Sequence, residues 1–504
     1  MEHTNLLGGI ILAPLVGAVV LGLFGKRMGE RAIGIFACAT VAVSFVLAIL
    51  AFNQMIHVPV TGEEPRRLHD AIFPWIEVGR FKAPFELMLD PLSGVYALFV
   101  TGVGLLIHIF ATGYMAGEGG YYRFFAYLNL FMFNMLVLVL GANLLIVFIG
   151  WEGVGLCSYL LIGFYFRDQA PNYPNQSAKK AFVVNRIGDV AFAIAIALAF
   201  VVLRSINFVE MGEAASRMPT ETLTFGAFAA GGLTTIAILM FIGATGKSAQ
   251  IPLYVWLPDA MAGPTPVSAL LHSATMVAAG VYLGVRVSPI LAISPDVAQL
   301  VLVVGLLTMF FGGLMSLRQD NLKKGLAFSS VSQLGMMFVA LGIGAPFAAF
   351  FHLVTHAAFK ALLFTSAGGV IHGLHGEERI SRMGGLRAAL PGPHALFLIG
   401  ALSLIGLPVV TAGAASKDLI LESALHHDRW LGMALLAGAG LTGLYAGRLY
   451  FATFHGARRG DASHADAHAA HDIHAPSALL LWPLAPLALG ALLFGFLEIP
   501  GGLL

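Results

Sequence analysis

The sequence predicts an all-α, polytopic membrane protein of about fourteen transmembrane helices, two of them broken, and three observations predict it. Hydrophobic residues make up 58% of the 504 and charged residues only 11%. A soluble domain carries about 25% charge, so this much apolar surface requires the bilayer as solvent. The apolar residues gather into runs of spanning length separated by short polar connections. Two of those runs are too long for one crossing and carry prolines inside them.

The runs fall at roughly 8–24, 33–52, 88–112, 121–140, 143–166, 179–203, 225–262, 265–285, 297–317, 322–343, 347–374, 391–425, 430–454 and 477–497. The first, Gly8 to about Phe24, is long enough to span and has no cleavage site, so it reads as a helix and not as a signal peptide. Residues 53–87 read as a long loop outside the membrane. The seventh run holds Lys247, Pro252 and Pro258; the twelfth holds Pro408, a Gly/Ala stretch and Lys417. Proline removes a backbone donor and clashes with the preceding turn, so both runs are expected to be broken helices. Irregular backbone at membrane depth survives only where protein or a wet cavity satisfies it, and in transporters such breaks mark the transport site.

Arginine and lysine give the orientation. The connections after spans 1, 3, 5, 9, 11 and 13 carry Lys26, Arg27, Arg31, Arg123, Arg167, Lys179, Lys180, Arg318, Lys323, Lys324, Arg379, Arg382, Arg387, Arg448, Arg458 and Arg459, sixteen in all. The opposite side carries eight: Arg66, Arg67, Arg80, Lys82, Arg204, Arg217, Arg286 and Arg429. Half of those eight lie in the 53–87 loop beside Glu63, Glu64, Asp70, Glu77 and Glu86. This places the N-terminus outside, the Lys26–Arg31 loop in the cytoplasm and, with fourteen spans, the C-terminus outside too. A faint internal repeat relates Gly280–Arg286 to Gly443–Arg448 and Lys247 to Lys417. The unit would be five spans, and an odd number makes the second copy inverted in the membrane. The expected organisation is residues 1–115 as helices 1–3, 116–290 as the first five-helix repeat, 291–458 as the inverted second, and 459–504 as a His-rich loop and a final helix.

Net charge is +1, which points to no nucleic-acid partner. Cys38 and Cys157 sit in apolar runs without metal or redox spacing and read as packing residues. No Gly-rich phosphate loop, cysteine cluster or haem motif occurs, so the chain is expected to bind no cofactor and to handle neither electrons nor nucleotide.

The chemistry must come from the few ionisable groups inside spans: Glu152, Asp189, Lys247, Lys360 and Lys417, with His108, His272, His352 and His356. A charge at the bilayer centre costs about 2.5–3.5 kcal/mol on insertion scales, so nine such positions require a reason. Desolvation disfavours charged forms, and a lysine brought near neutrality can take and release protons. A carboxylate nearby restores the charged form, so changing that carboxylate switches the lysine between holding and releasing.

Each residue also has a bland reading. Glu152 could be a satisfied structural carboxylate, Lys247 a cap for the carbonyls of its half-helix, and His272 a hydrogen-bonded core group. Asp189 has Arg186 one turn away, which suggests a local pair. His352, His356 and Lys360 recur at every fourth residue and share one helix face. Two histidines at that spacing could ligate a metal, but no third ligand accompanies them, and a hydrated relay face fits better. The tract His455, His464, His468, His471 and His474 reads as a solvated loop.

These residues carry a resemblance. Asp90–Ser93, Gly150–Phe164, Lys179–Phe182, Asn185–Asp189, Trp256–Met276, Leu322–Lys324, Ser332–Gly335, His352–Phe364 and Ser416–Asp418 resemble, in order over about residues 85–430, the antiporter-like membrane subunits of respiratory complex I, and among them the L-type. The resemblance implies two inverted five-helix bundles around a central polar axis. It implies Glu152 and Lys247 as a coupled pair, His272 as a link, His352, His356 and Lys360 as the connecting relay, Lys417 as the exit-side lysine, and Asp189 as an acid tuning the first half-channel. It implies other complex I membrane subunits as partners, above all an adjacent antiporter-like chain, in a bacterial inner membrane. NADH, FMN, Fe–S clusters and quinone would belong to partner subunits. Two features depart from the family: Gly413-Ala414-Ala415-Ser416 replaces an aromatic pair before the lysine, and L-type members continue past the match to Leu504 with a lateral helix and a last anchor.

The function this supports is proton translocation driven by quinone reduction elsewhere in an NADH:quinone oxidoreductase. The alternatives are a sibling subunit of a cation/proton antiporter, a membrane hydrogenase or an inorganic-carbon uptake complex, and a non-transporting scaffold, which would gain nothing from keeping the buried charges.

Overall fold

The protein is described here from a computed structural model covering residues 2–59, 66–167, 173–217, 222–225, 228–459 and 473–498. Strand β1 (Glu2–His3) leads into α1 (Leu6–Phe24) and α2 (Glu30–Ile56). Between α2 and the next helix, β2 (Leu68–Val78) and β3 (Phe81–Leu89) form an antiparallel hairpin, with β1 parallel to the start of β2. Residues 53–87 are therefore not the plain loop expected. The hairpin turns at Gly79, whose positive φ a side chain would resist. Glu63 and Glu64 lie outside the described residues, as do His464, His468 and His471.

Helices α3 (Pro91–Tyr114), α4 (Tyr121–Leu140), α5 (Leu144–Ile162) and α6 (Tyr173–Leu203) follow, then the short α7 (Phe208–Arg217) and a second hairpin, β4 (Thr222–Phe225) with β5 (Phe228–Gly231). The chain re-enters as α8 (Gly232–Lys247), α9 (Thr265–His272) and α10 (Ala279–Arg286), passes α11 (Ser288–Ala292), and crosses as α12 (Pro295–Arg318), α13 (Leu322–Gly342) and α14 (Pro346–Gly373). It closes with α15 (Pro391–Ile405), α16 (Ala412–His427), α17 (Arg429–Phe454), α18 (Ala478–Leu481) and α19 (Leu484–Leu493).

Among the described residues twelve helical segments are long and apolar enough to cross a membrane. The other two expected spans are the broken ones. Span seven keeps helix only to Lys247, and 3-10 turns at Leu253–Trp256 and Asp259–Ala262 follow. Span twelve parts between Ile405 and Ala412, where Gly406 and Val409 take positive φ. A third break was not expected. Span eight ends as a helix at His272 and resumes only at Met276, with Ser273 and Thr275 non-helical. The freed polar groups are stitched locally. The Trp256 indole donates to the Gly246 carbonyl at 2.9 Å, Ser248 to the Val277 carbonyl at 2.7 Å, and Thr275 to the Leu270 carbonyl at 2.5 Å.

Helix α14 is the axis of the fold. From Ala348 to Ile371 every residue is buried, and α13 beside it is almost as enclosed. The N-terminus of α3 is tied to this centre. Asp90 accepts from the Ser93 backbone N–H at 2.8 Å while Ser93 accepts from the Asp90 N–H at 2.9 Å, a capping box with Pro91 in the first turn. The same carboxylate pairs with the Arg286 guanidinium, which also donates to the Tyr282 hydroxyl at 2.7 Å. Arg286 is thus not a loop charge but a buried ion-pair partner at the end of α10.

Replacing Ser93 by Ala should cost about 1 kcal/mol, the worth of a cap. Asp90→Ala should cost several times more, since it also strands a buried guanidinium, a loss of about 3–5 kcal/mol. Thermal unfolding of the two variants in one detergent checks the order.

Candidate functional site

The first cluster forms where α5, α6 and α8 meet. Lys247, the last residue of α8, is fully buried at the carbonyl end of its half-helix, where the dipole favours a cation. Its Nζ lies 3.5 Å from Asp189 Oδ1 on α6. Asp189 Oδ1 also accepts from the Trp151 indole N–H at 2.6 Å, and the Trp151 ring lies 5.8 Å from the ammonium. Gly155 on α5 leaves the room this needs, because a Cβ there would sit 2.8 Å from Lys247 Nζ.

The contacts are not the ones expected. The resemblance implies Glu152 as the group coupled to Lys247, and the bland reading of Asp189 is a local pair with Arg186. Instead Arg186 pairs with Glu152, and Lys247 with Asp189. Helical geometry is the reason: residues three apart on α6 point roughly 60° away from each other. Asp189 therefore turns inward to α8, while Arg186, 46% exposed, reaches along the outer edge to Glu152, 22% exposed.

The second cluster lines α14. Successive residues at four-residue spacing rise about 6 Å, and the His352 and His356 rings stand 6.3 Å apart. His352 Nδ1 meets the Ser416 hydroxyl at 2.9 Å and its Nε2 meets Gln333 Oε1 at 3.2 Å. Gln333 in turn donates to the Tyr445 hydroxyl at 3.1 Å, and Thr355 and Ser416 share a hydrogen bond at 2.7 Å. Lys360, fully buried, donates to the Ser329 hydroxyl at 2.5 Å and to the Leu326 carbonyl at 3.3 Å. His356 and His272 are fully buried, and neither ring nitrogen of either finds a protein hydrogen bond among the described residues. His272 ends α9 with its ring 4.7 Å from Phe364 of α14.

Lys417 lies one turn into α16, next to Ser416. Its ammonium donates to the Leu404 carbonyl and, at 3.5 Å, to the Ile405 carbonyl. It thereby caps the open carbonyl end of α15 across the break. The two break-site lysines thus both stand at a half-helix C-terminus, but only Lys417 hydrogen-bonds its carbonyls. Gly413 lets α16 approach this closely, because a Cβ there would collide with the Ser403 carbonyl. His108 bonds the Gly104 carbonyl of its own helix at 2.7 Å and stands apart from both clusters as a core group.

Sequence reading missed Trp151, Gly155, Arg186, Gln333 and Ser416 as parts of the site. Trp151 and Gly155 flank Glu152 in its glycine-rich motif, and Ser416 adjoins Lys417, so proximity was the available signal. Gln333 had none. No three His, Cys, Asp or Glu side chains among the described residues are placed to hold a metal ion.

Family comparison agrees with this architecture. A family model described as NADH:quinone oxidoreductase/Mrp antiporter transmembrane region matches residues 141–442, and one described as the N-terminus of NADH–ubiquinone oxidoreductase (complex I) chain 5 matches 75–125. The chain is 46% identical over 456 residues to NADH-quinone oxidoreductase subunit L of Escherichia coli strain K12, covering 90% of this chain and 72% of that one. The chain belongs to the NADH-quinone oxidoreductase subunit L family. The Pseudomonas aeruginosa subunit L is 45% identical over 474 residues, covering 93% of this chain and 74% of its own length. Among solved structures, a chain of the Mrp complex from Dietzia sp. DQ12-45-1b superposes with a TM-score of 0.81 at 28% identity over 97% of this chain, which spans half of that longer chain. A chain of the archaeal membrane-bound sulfane sulfur reductase also superposes at 0.81, at 23% identity, and shares the fold.

Asp189→Asn should destabilise the subunit by about 3–5 kcal/mol by leaving Lys247 without its contact carboxylate. Adding Lys247→Met should recover most of that loss. Unfolding midpoints of the singles and the double measure the coupling. If Lys247→Met rescued Glu152→Gln instead, the pairing would be the one first expected from sequence.

Proposed function

We infer that this chain is a proton-translocating membrane subunit of an NADH:quinone oxidoreductase, moving protons through buried Glu, Lys and His residues while quinone is reduced elsewhere in the complex. The observation that carries this is a lysine sealed at a helix break against a carboxylate, beside a fully enclosed helix that carries His352, His356 and Lys360 in register toward a second break-site lysine.

The roles follow from the contacts. Lys247 holds a proton while Asp189 is charged beside it, and Glu152 with Arg186 forms an ion pair at the edge of the chain that a neighbouring subunit can disturb. Opening that outer pair frees Glu152 to compete for Lys247 and weakens the lysine's hold on Asp189. His272, His356 and Lys360 receive the proton at the centre, His352 passes it along through Ser416, and Lys417 delivers it to the outside face. Against a potential of 100 mV each charge moved costs about 2.3 kcal/mol, within reach of electrostatic switching between such pairs. The reading sets helices 4–8 and 9–13 as inverted repeats, residues 116–290 and 291–458, with helices 1–3 before them and 459–504 after. It also sets the N-terminus outside a bacterial inner membrane, an adjacent antiporter-like subunit as the main partner, and NADH, FMN, Fe–S clusters and quinone in other subunits. A second reading, a subunit of a cation/proton antiporter, draws on the likeness to the Mrp complex chain. Dependence of transport on Na⁺ in place of H⁺ would select it.

Lys417→Ala should abolish most proton transport in reconstituted vesicles while the assembly remains intact. Lys417→Arg should do nearly the same, because a guanidinium caps the α15 carbonyls but does not release its proton. Normal pumping by the arginine variant would reduce Lys417 to a fixed charge. Gly155→Ala, which crowds the Lys247 ammonium, should slow transport several-fold without loss of protein, as dye-quench rates in the same vesicles would show.

A further inference from the structure

On the side of α14 away from the first cluster a slot of about 570 Å³ opens between α2, α3, α14 and the C-terminal segment around α19. Its lining is apolar throughout: Phe45 and Phe52 on α2, a line from Val95 to Leu106 on α3, Ala358 on α14, and Phe494 beyond α19. Phe494 packs edge-on against Phe99 in the lining, with ring centroids 5.1 Å apart. Gly102 lets the Phe45 ring lie close against α3, since a Cβ there would meet that ring at 3.1 Å.

Shape and depth restrict what can occupy it. The α3 wall from Val95 to Leu106 is about 16 Å long at 1.5 Å per residue, half of the ~30 Å of hydrocarbon that a spanning helix must cross. A spanning helix would therefore leave about half of its length without a seat in the slot. An extended peptide would strand its N–H and C=O groups, since the walls offer no partners and the slot lies at membrane depth. Water is excluded for the same reason, because a hydrated cavity needs two to four polar groups per molecule. A narrow, unbranched, wholly apolar chain meets every constraint, and the bilayer supplies one.

We propose that this slot is a binding site for one acyl chain of a membrane phospholipid, held lengthwise along α3 and packed against the back of α14 at Ala358. Ala358 lies between His356 and Lys360, so the tail forms the dry wall behind the residues assigned above to the relay. The site itself depends only on the slot and not on that functional reading.

The test uses the full chain in nanodiscs of dioleoylphosphatidylcholine, examined by native mass spectrometry at an activation energy that strips the surrounding lipid. One phospholipid should stay bound to the unaltered chain. Leu98→Trp, which fills the slot, should lower retention about tenfold or more, because two methylenes left outside account for that factor. Phe45→Ala, which widens it, should retain the lipid. Thermal unfolding of both variants separates a filled slot from a misfolded chain. A bare unaltered chain, equal retention by a folded Leu98→Trp, or a polyprenyl chain in place of the phospholipid would each overturn the proposal. Unaltered proton transport in a lipid-free Leu98→Trp variant would leave the site standing and separate it from the functional reading.

Discussion

No charged group at membrane depth can lean on bulk water, so each ammonium and guanidinium must be held by the protein, and the structure is arranged around meeting that requirement. Lys247 is held by Asp189 and by the face of Trp151, Lys360 by Ser329 and a helix carbonyl, Lys417 by the carbonyl end of α15, and Arg286 by the cap of α3. Removing any one holder would leave a charge in hydrocarbon. The helix breaks obey the same rule. Where the backbone ladder stops, Trp256, Ser248, Thr275 and Lys417 take up freed carbonyls. The breaks are therefore compatible with a stable fold while still placing polar groups in its interior.

The two lysines at breaks are held in different ways, and the difference bears on mechanism. Lys247 faces a carboxylate, a partner whose strength changes with its own protonation and with its distance. Lys417 faces helix carbonyls, which are fixed dipoles and do not titrate. Its sequence neighbour Asp418 is exposed on the outer side of α16. The balance of the first arrangement shifts when a neighbouring pair moves, whereas that of the second is fixed by the backbone. The Glu152–Arg186 pair lies at the chain's edge.

Enclosure of α14 connects these parts. Small residues such as Ala348, Ala349, Ala357, Ala358, Ala361, Gly368 and Gly369 let neighbouring helices approach on every side, and the polar face is thereby shut off from lipid. In hydrocarbon the apolar effect does not drive helices together, so packing and hydrogen bonds such as His352 to Ser416 and Gln333 must do so.

Hydropathy and charge alone determined the membrane class, the spans, the two proline-marked breaks and most of the buried ionisable residues, Asp90 and Arg286 excepted. These are properties of local composition: an apolar run of spanning length has nowhere else to go, and a lysine within it is conspicuous at any fold. The order of motifs likewise determined the family. The hairpin at Leu68–Leu89 and the break after His272 were decided by tertiary structure, because strand pairing and the contact between Ser248 and Val277 join segments that no local window compares. So was the choice of partners. Arg186 and Asp189 look like a pair at their spacing, yet each side chain meets a different neighbouring helix, and only the packing of α6 between α5 and α8 sends one carboxylate to Lys247 and the other to Arg186.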